Sequence, residues 1–239
     1  MKIDGREIKA VIFDYDGTLL DSGDLWHNID LVFFKRYGKV CPPTYVEDIA
    51  HTNLKGAAKI TREKYGINRT DEQMINEWME MARDAYAHTL PLKEGSREIL
   101  EYLHKKGLKL ALATAGEVDL FEPSLDRLDL NKYFDIKINV ADVGKSKDHP
   151  EIYIRAAELL GVKPEETIVF EDMPTGLKSS YEAGFVTYAI MDQASVKSEE
   201  QKKIYACGVV RDWPSFIEEI EIEPAWQTAQ KACVDNDIN

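Results

Sequence analysis

Six short runs of β-favouring apolar residues, at positions 9–13, 109–113, 136–140, 167–170, 185–190 and 208–210, constrain this chain more than any other feature. They are nearly continuous rather than alternating, the pattern of strands covered on both faces, and such strands belong to a parallel sheet with helices packed above and below it. Helical patterns fill most of the intervals. Residues 96–106 place Ile99, Leu100 and Leu103 on one face ahead of Gly107, and Pro150 opens a helix that runs to Leu160. Strand and helix in alternation predict an α/β fold built on a parallel sheet.

One connection is too long for that plan. A crossover between parallel strands needs about a dozen residues, and the 96–106 helix already supplies it. Residues 22–92 are therefore surplus to the sheet and predict a second, inserted domain. The core then comprises 1–21 and 93–222, while 223–239 shows no period and is left unassigned. The insert reads as all-helical: Thr70-Asp71-Glu72-Gln73 is a capping box, and Met74, Ile75, Trp78, Met81, Ala82 and Ala85 follow at helical spacing, as the interior of a small bundle would.

Charge narrows what such a fold acts on. Thirty basic residues against 43 acidic ones leave a net charge of -13, a field that repels polyanions, so no nucleic-acid partner is expected. A small phosphate remains accessible where a metal ion or a lysine reverses the sign inside one pocket. Cys41, Cys207 and Cys233 are scattered without metal or redox spacing, which predicts a reducing, cytoplasmic setting. The opening MKIDGREIKAVIF holds no long apolar segment, and no stretch approaches the roughly 20 apolar residues of a membrane span. The protein is accordingly expected to be soluble and unexported, with no membrane partner.

Polar residues gather where the apolar runs end. The first run closes Val11-Ile12-Phe13-Asp14-Tyr15-Asp16-Gly17-Thr18, setting two carboxylates two residues apart at the carboxyl edge of a strand, where open α/β sheets bind ligands. Acids before a glycine also make ordinary turns. A calcium loop begins in the same way, but Leu19 stands where it needs glycine and Leu25 where it needs glutamate. The second run ends at Thr114, whose hydroxyl suits either a phosphate oxygen or a helix cap. Gly144-Lys145-Ser146-Lys147 ends like a phosphate-binding P-loop, yet position 139 is Asn instead of the required glycine. A lysine in such a loop is solvated unless an anion lies opposite it. The run 167–170 leads into Glu171-Asp172, two acids at the end of an apolar strand, a place where charge needs a partner, a metal or a helix to cap.

These four segments, in this order, resemble the four motifs of the haloacid dehalogenase superfamily over nearly the whole chain. Asp14-Tyr15-Asp16-Gly17-Thr18 is similar to the first motif, Thr114 to the second, Lys147 with Pro150 to the third, and Glu171-Asp172 to the fourth. The resemblance implies a Rossmann-like core that gathers these residues into one site, and it selects Lys147 over Lys145. Residues 22–92 become the family's cap, inserted after the first motif as in the subgroup resembling β-phosphoglucomutase and phosphoglycolate phosphatase.

The chemistry implied is phosphoryl transfer with Mg2+. A carboxylate attacking a phosphate dianion meets repulsion, so positive charge must be supplied. Asp14, the Asp16 carbonyl and Asp172 are the implied ligands of a hard, oxygen-seeking ion, with Glu171 bound to it directly or through its waters. Asp14 is also the nucleophile and forms an aspartyl phosphate. Lys147 neutralises it, Thr114 donates to the phosphoryl oxygens, and Asp16 acts as acid and then base. The dehalogenase branch has no acid at the Asp16 position, so dehalogenation is not expected.

A phosphatase acting on a small phosphorylated metabolite is the leading expectation. A sugar phosphomutase is second: Asn53-Leu54-Lys55-Gly56 has the cap segment of that pattern without its arginine, and Gly116 and Val118 stand where it holds a second phosphate. A silent binding protein is third, opposed by the intact Asp14, Asp16, Lys147 and Asp172. Substrate-selecting residues are expected around His51 to Lys55, with Trp26 and His27 read chiefly as bundle packing.

Overall fold

The computed structural model describes residues 2–3, 6–50, 52–191 and 198–222. His51, Cys233 and the unassigned tail lie outside these. The chain divides into two compact units, Met1–Gly23 with Pro91–Asn239 and Asp24–Leu90.

In the first unit, β1 (Lys2–Ile3) and β2 (Arg6–Glu7) form a small antiparallel pair. The main sheet has six parallel strands in the order β5-β4-β3-β6-β7-β8. They are β3 (Ala10–Phe13), β4 (Lys109–Thr114), β5 (Ile136–Asn139), β6 (Thr167–Glu171), β7 (Val186–Ile190) and β8 (Gly208–Val210). Every residue of β3, β6 and β7 is buried, which is why their sequences run apolar without alternation. Ala10 and Ile12 pack with Ala111, Ala113 and Val169 against Ile152, Tyr153, Ala156 and Leu160 of the helix Glu151–Leu160. Phe13 points to the opposite face, where it stacks on Phe170 at 5.2 Å and meets Trp213 at 5.9 Å, in the helix Trp213–Ile222. Burying such aromatics stabilises by about 2 to 3 kcal/mol each.

The order of the strands matters more than their number. From β3 the chain moves first to β4 and β5 on one side, then to β6, β7 and β8 on the other. Such a reversal opens a crevice at the carboxyl ends of the strands it separates. Phe13 is in register with Leu112 and with Phe170, so Asp14, Thr114 and Glu171 emerge at nearly one level.

The second unit is helical: α1 (Leu25–Arg36), α2 (Tyr45–Ile49), α3 (Leu54–Tyr65) and α4 (Asp71–His88). Both arms of the Thr70–Gln73 capping box are present, at 3.2 and 3.1 Å. Met74, Trp78, Ala82 and Tyr86 form the buried stripe of α4, while Ile75, Met81 and Ala85 are only half-buried at its margins. Phe33 meets Trp78 at 5.2 Å, and Phe34 meets Tyr45 at 4.9 Å. The reading of Trp26 and His27 as packing residues is corrected: Leu25, Ile29 and Phe33 take the inner face of α1, which leaves positions 26 and 27 exposed.

Candidate active site

Asp14 leaves the end of β3, its N–H donating to the Phe170 carbonyl at 2.9 Å, and its side chain is 5% exposed. The Lys147 ammonium donates to Asp14 Oδ1 and, at 3.2 Å, to Glu171 Oε1. Lys145 is exposed to solvent. Lys147 reaches inward because its loop is tied down: Ser179 Oγ in the helix Pro174–Glu182 donates to the Lys147 carbonyl at 2.6 Å.

Glu171 closes β6, fully buried, and Asp172 follows at 8% exposure. The Asp172 N–H donates to Glu171 Oε2 at 2.8 Å. Neither acid caps the helix that follows, whose first turn begins after Met173 and carries no side-chain cap. Oxygens of Asp14, Glu171 and Asp172 lie within 4.8 Å of one another. Gly17, with φ of 77°, is the nearby turn residue, and a Cβ there would sit 2.5 Å from Asp172 Oδ2, so only glycine lets the first-motif turn close on this acid.

Asp16 and Thr114 complete the group. Asp16 lines a cleft with Asp14, Ala115, Lys147, Glu171, Asp172, Met173 and Thr175. Ser22 Oγ donates to Asp16 Oδ1 at 2.9 Å. Thr114 is fully buried at the end of β4, and its Oγ1 accepts from the Gly116 N–H at 2.9 Å, leaving its proton to give. A side chain at Gly116 would start 3.2 Å from Thr114 Oγ1 and 3.6 Å from Asp16 Oδ2. All six residues expected at the site, Asp14, Asp16, Thr114, Lys147, Glu171 and Asp172, thus come together at one end of the sheet.

Three buried acids against one ammonium leave an excess of negative charge. Burial pushes the Asp14 carboxyl up to about 7, helped by Glu171 and Asp16 and opposed by Lys147. Burial likewise pushes Asp172 up to about 9, helped by Glu171 and Asp14 and opposed by Lys202 and Lys147. For Lys147 burial works against the charge, but Asp14 and Glu171 outweigh it and hold the ammonium above the usual lysine range. The donor set suits a hard divalent cation: all ligands are oxygens, they converge, and Asp14 Oδ2 is buried without any hydrogen-bond donor.

Sequence reasoning missed four neighbours. Tyr153 reads as helix core, Ser22 and Ser179 as ordinary polar residues, and Lys202 as part of a solvated charge run. Lys202 is in fact fully buried, its ammonium donating to the Ile190 carbonyl at 2.8 Å. Only the apolar character of strand β7 beside it hints at this.

Residues 11–190 match the family model of haloacid dehalogenase-like hydrolases, and the chain belongs to that family of hydrolytic enzymes. It is similar to the phosphorylated carbohydrates phosphatase of Thermotoga maritima, 35% identical over 182 residues, 74% of this chain and 82% of that one. Hexitol phosphatase B of Escherichia coli strain K12 is 28% identical over 177 residues, 73% of this chain and 80% of that one. Among solved structures, one from Thermotoga maritima named provisionally as a β-phosphoglucomutase superposes with a TM-score of 0.81 at 29% identity, covering 90% of this chain and all of that chain. No helix among the described residues is long and apolar enough to cross a membrane.

Proposed function

We propose that this chain is a magnesium-dependent phosphatase that hydrolyses the phosphate monoester of a small metabolite through an aspartyl phosphate on Asp14. One observation carries the reading: Asp14 is buried beside an ammonium, yet its Oδ2 has no hydrogen-bond donor among the described residues. A buried carboxylate oxygen left bare costs free energy unless a ligand or a reaction uses it.

Asp14, Asp172, the Asp16 carbonyl and Glu171 would hold Mg2+, which would supply the positive charge that a carboxylate needs to approach a phosphate dianion. Lys147 adds a second positive charge, and the free Thr114 proton holds a phosphoryl oxygen. Asp14 attacks phosphorus, the bond from phosphorus to the alcohol oxygen breaks, and Asp16 gives its proton to the departing alkoxide. Water then attacks the phosphorus of the acyl phosphate and yields its proton to Asp16. The bond to Asp14 breaks, inorganic phosphate leaves, and both acids return to their starting states.

The names of the two related phosphatases support a sugar or polyol phosphate as substrate. We read unit Asp24–Leu90 as the family's cap and assign substrate selection to it. Gly116, bare beside Asp16 and Thr114, offers no side chain to anchor a second phosphate, which supports hydrolysis over phosphoryl return to a sugar. A panel of phosphorylated metabolites assayed for phosphate release with Mg2+, with Asp14→Asn as blank, tests the proposal. Release by the native protein alone supports it. Equal release by the blank removes Asp14 as nucleophile, and bisphosphate-dependent sugar phosphate interconversion without phosphate release turns the reading to a mutase.

A further inference from the structure

We infer that Tyr153 is a positioning residue that locks Glu171 so that a single oxygen, Oε2, is offered to the cation. The inference rests on the functional reading above and concerns how the metal site is held. An ionised carboxylate has about four acceptor sites, two on each oxygen. On Glu171 the Tyr153 hydroxyl donates to Oε1 at 3.1 Å and Lys147 donates to the same atom at 3.2 Å. Oε1 is then filled. Among the described residues Oε2 takes only the Asp172 N–H at 2.8 Å, which leaves it one site.

The phenol is itself immobile. Tyr153 is fully buried within the packing between the sheet and its own helix, with the Phe185 ring at 6.3 Å. The Lys147 ammonium lies 5.8 Å from its ring centroid, so Tyr153 meets both Glu171 and the ammonium that Glu171 shares with Asp14. Gly176 leaves room for this contact: a Cβ there would fall 2.1 Å from Glu171 Oε1 and 2.6 Å from the Tyr153 hydroxyl. A phenol ordinarily keeps its proton near neutral pH, so the hydroxyl is a donor to the carboxylate. Without that donor Oε1 regains an open site and the carboxylate can turn.

Tyr153→Phe removes the hydroxyl and keeps the ring. Groups that orient metal-binding carboxylates typically change metal affinity by 10-fold or more, so calorimetric titration of the full chain with Mg2+ should show about 10-fold weaker binding. The Mg2+ concentration for half-maximal phosphate release should rise by the same factor, while kcat at saturating Mg2+ falls by no more than about 3-fold. A residue that only fills the core would not separate these two quantities. Gly176→Ala, whose Cβ would collide with both the Glu171 carboxylate and the Tyr153 hydroxyl, should weaken Mg2+ binding by about 10-fold or more. Tyr153→Phe binding Mg2+ as tightly as the native protein overturns the inference and leaves the functional reading standing. A native protein that binds no Mg2+ overturns both.

Discussion

Removing the ammonium from the acidic cluster tests how the site is balanced. In Lys147→Met the side chain keeps most of its length and loses its charge. Lys147 is hydrogen-bonded to Asp14 and lies 3.2 Å from Glu171, with only 10% of its side chain exposed. At an effective dielectric of about 20, unit charges at that separation attract by about 5 kcal/mol, so two such contacts give about 10 kcal/mol gross. Burying the ammonium costs several kcal/mol in return, and removing one partner of a buried pair destabilises by about 3 to 5 kcal/mol while the acids stay ionised. Protonation limits that loss. At pH 6 Asp14, held at about 7, and Asp172, held at about 9, already carry protons, which relieves the Asp14 contact and leaves the one to Glu171, and the cost should drop to about 2 kcal/mol. In thermal unfolding with EDTA, the variant should melt about 6 to 20 °C below the native protein at pH 9 and about 4 to 8 °C below it at pH 6. A loss independent of pH, or a variant that still releases phosphate at the native rate, refutes the reasoning.

The same two carboxyls set the sign of the native protein's pH dependence. Both bind protons more tightly folded than unfolded, so their contribution to metal-free stability is complete below the ordinary value of 3.8 and is lost as pH rises through about 7 and about 9. Melting in EDTA should therefore fall across that window, and Mg2+ should flatten the profile. At pH 7, Mg2+ binding should release protons, read as a heat that varies with the ionisation enthalpy of the buffer. Asp16→Asn should slow hydrolysis of an alkyl phosphate by about 10²- to 10⁴-fold. With p-nitrophenyl phosphate, whose leaving group needs no proton, the same variant should give a burst of nitrophenol near one per active site and then a slow steady state. Absence of the burst contradicts the two-step role of Asp16.

Much of the fold was legible because its signals are local. Strands β3, β6 and β7 are buried throughout, so their runs are apolar throughout, and Thr70 to Gln73 carries its cap in four consecutive residues. Site residues were legible as pairs at strand ends, where charge is otherwise costly: Asp14 with Asp16, and Glu171 with Asp172. What stayed hidden depends on contacts distant along the chain. Tyr153 shows a helical core period whether or not its hydroxyl meets Glu171, 18 residues on. Lys202 sits in Glu199-Glu200-Gln201-Lys202-Lys203, a run that reads as solvated, and only its place against β7 buries it. Trp26 misled for the converse reason. A large aromatic suggests a core, but the inner face of α1 was already taken by Leu25, Ile29 and Phe33.

Turnover through Asp14 requires a covalent bond between its carboxylate and the phosphoryl group. Quenching the enzyme in acid during turnover, reducing it with borohydride and sequencing the peptides by mass spectrometry reads that bond directly. Reduction of an aspartyl phosphate leaves homoserine. Homoserine at position 14, formed only when substrate and Mg2+ are both present, is the predicted result. Intact aspartate at position 14 during demonstrated turnover, or homoserine at another acid, contradicts it.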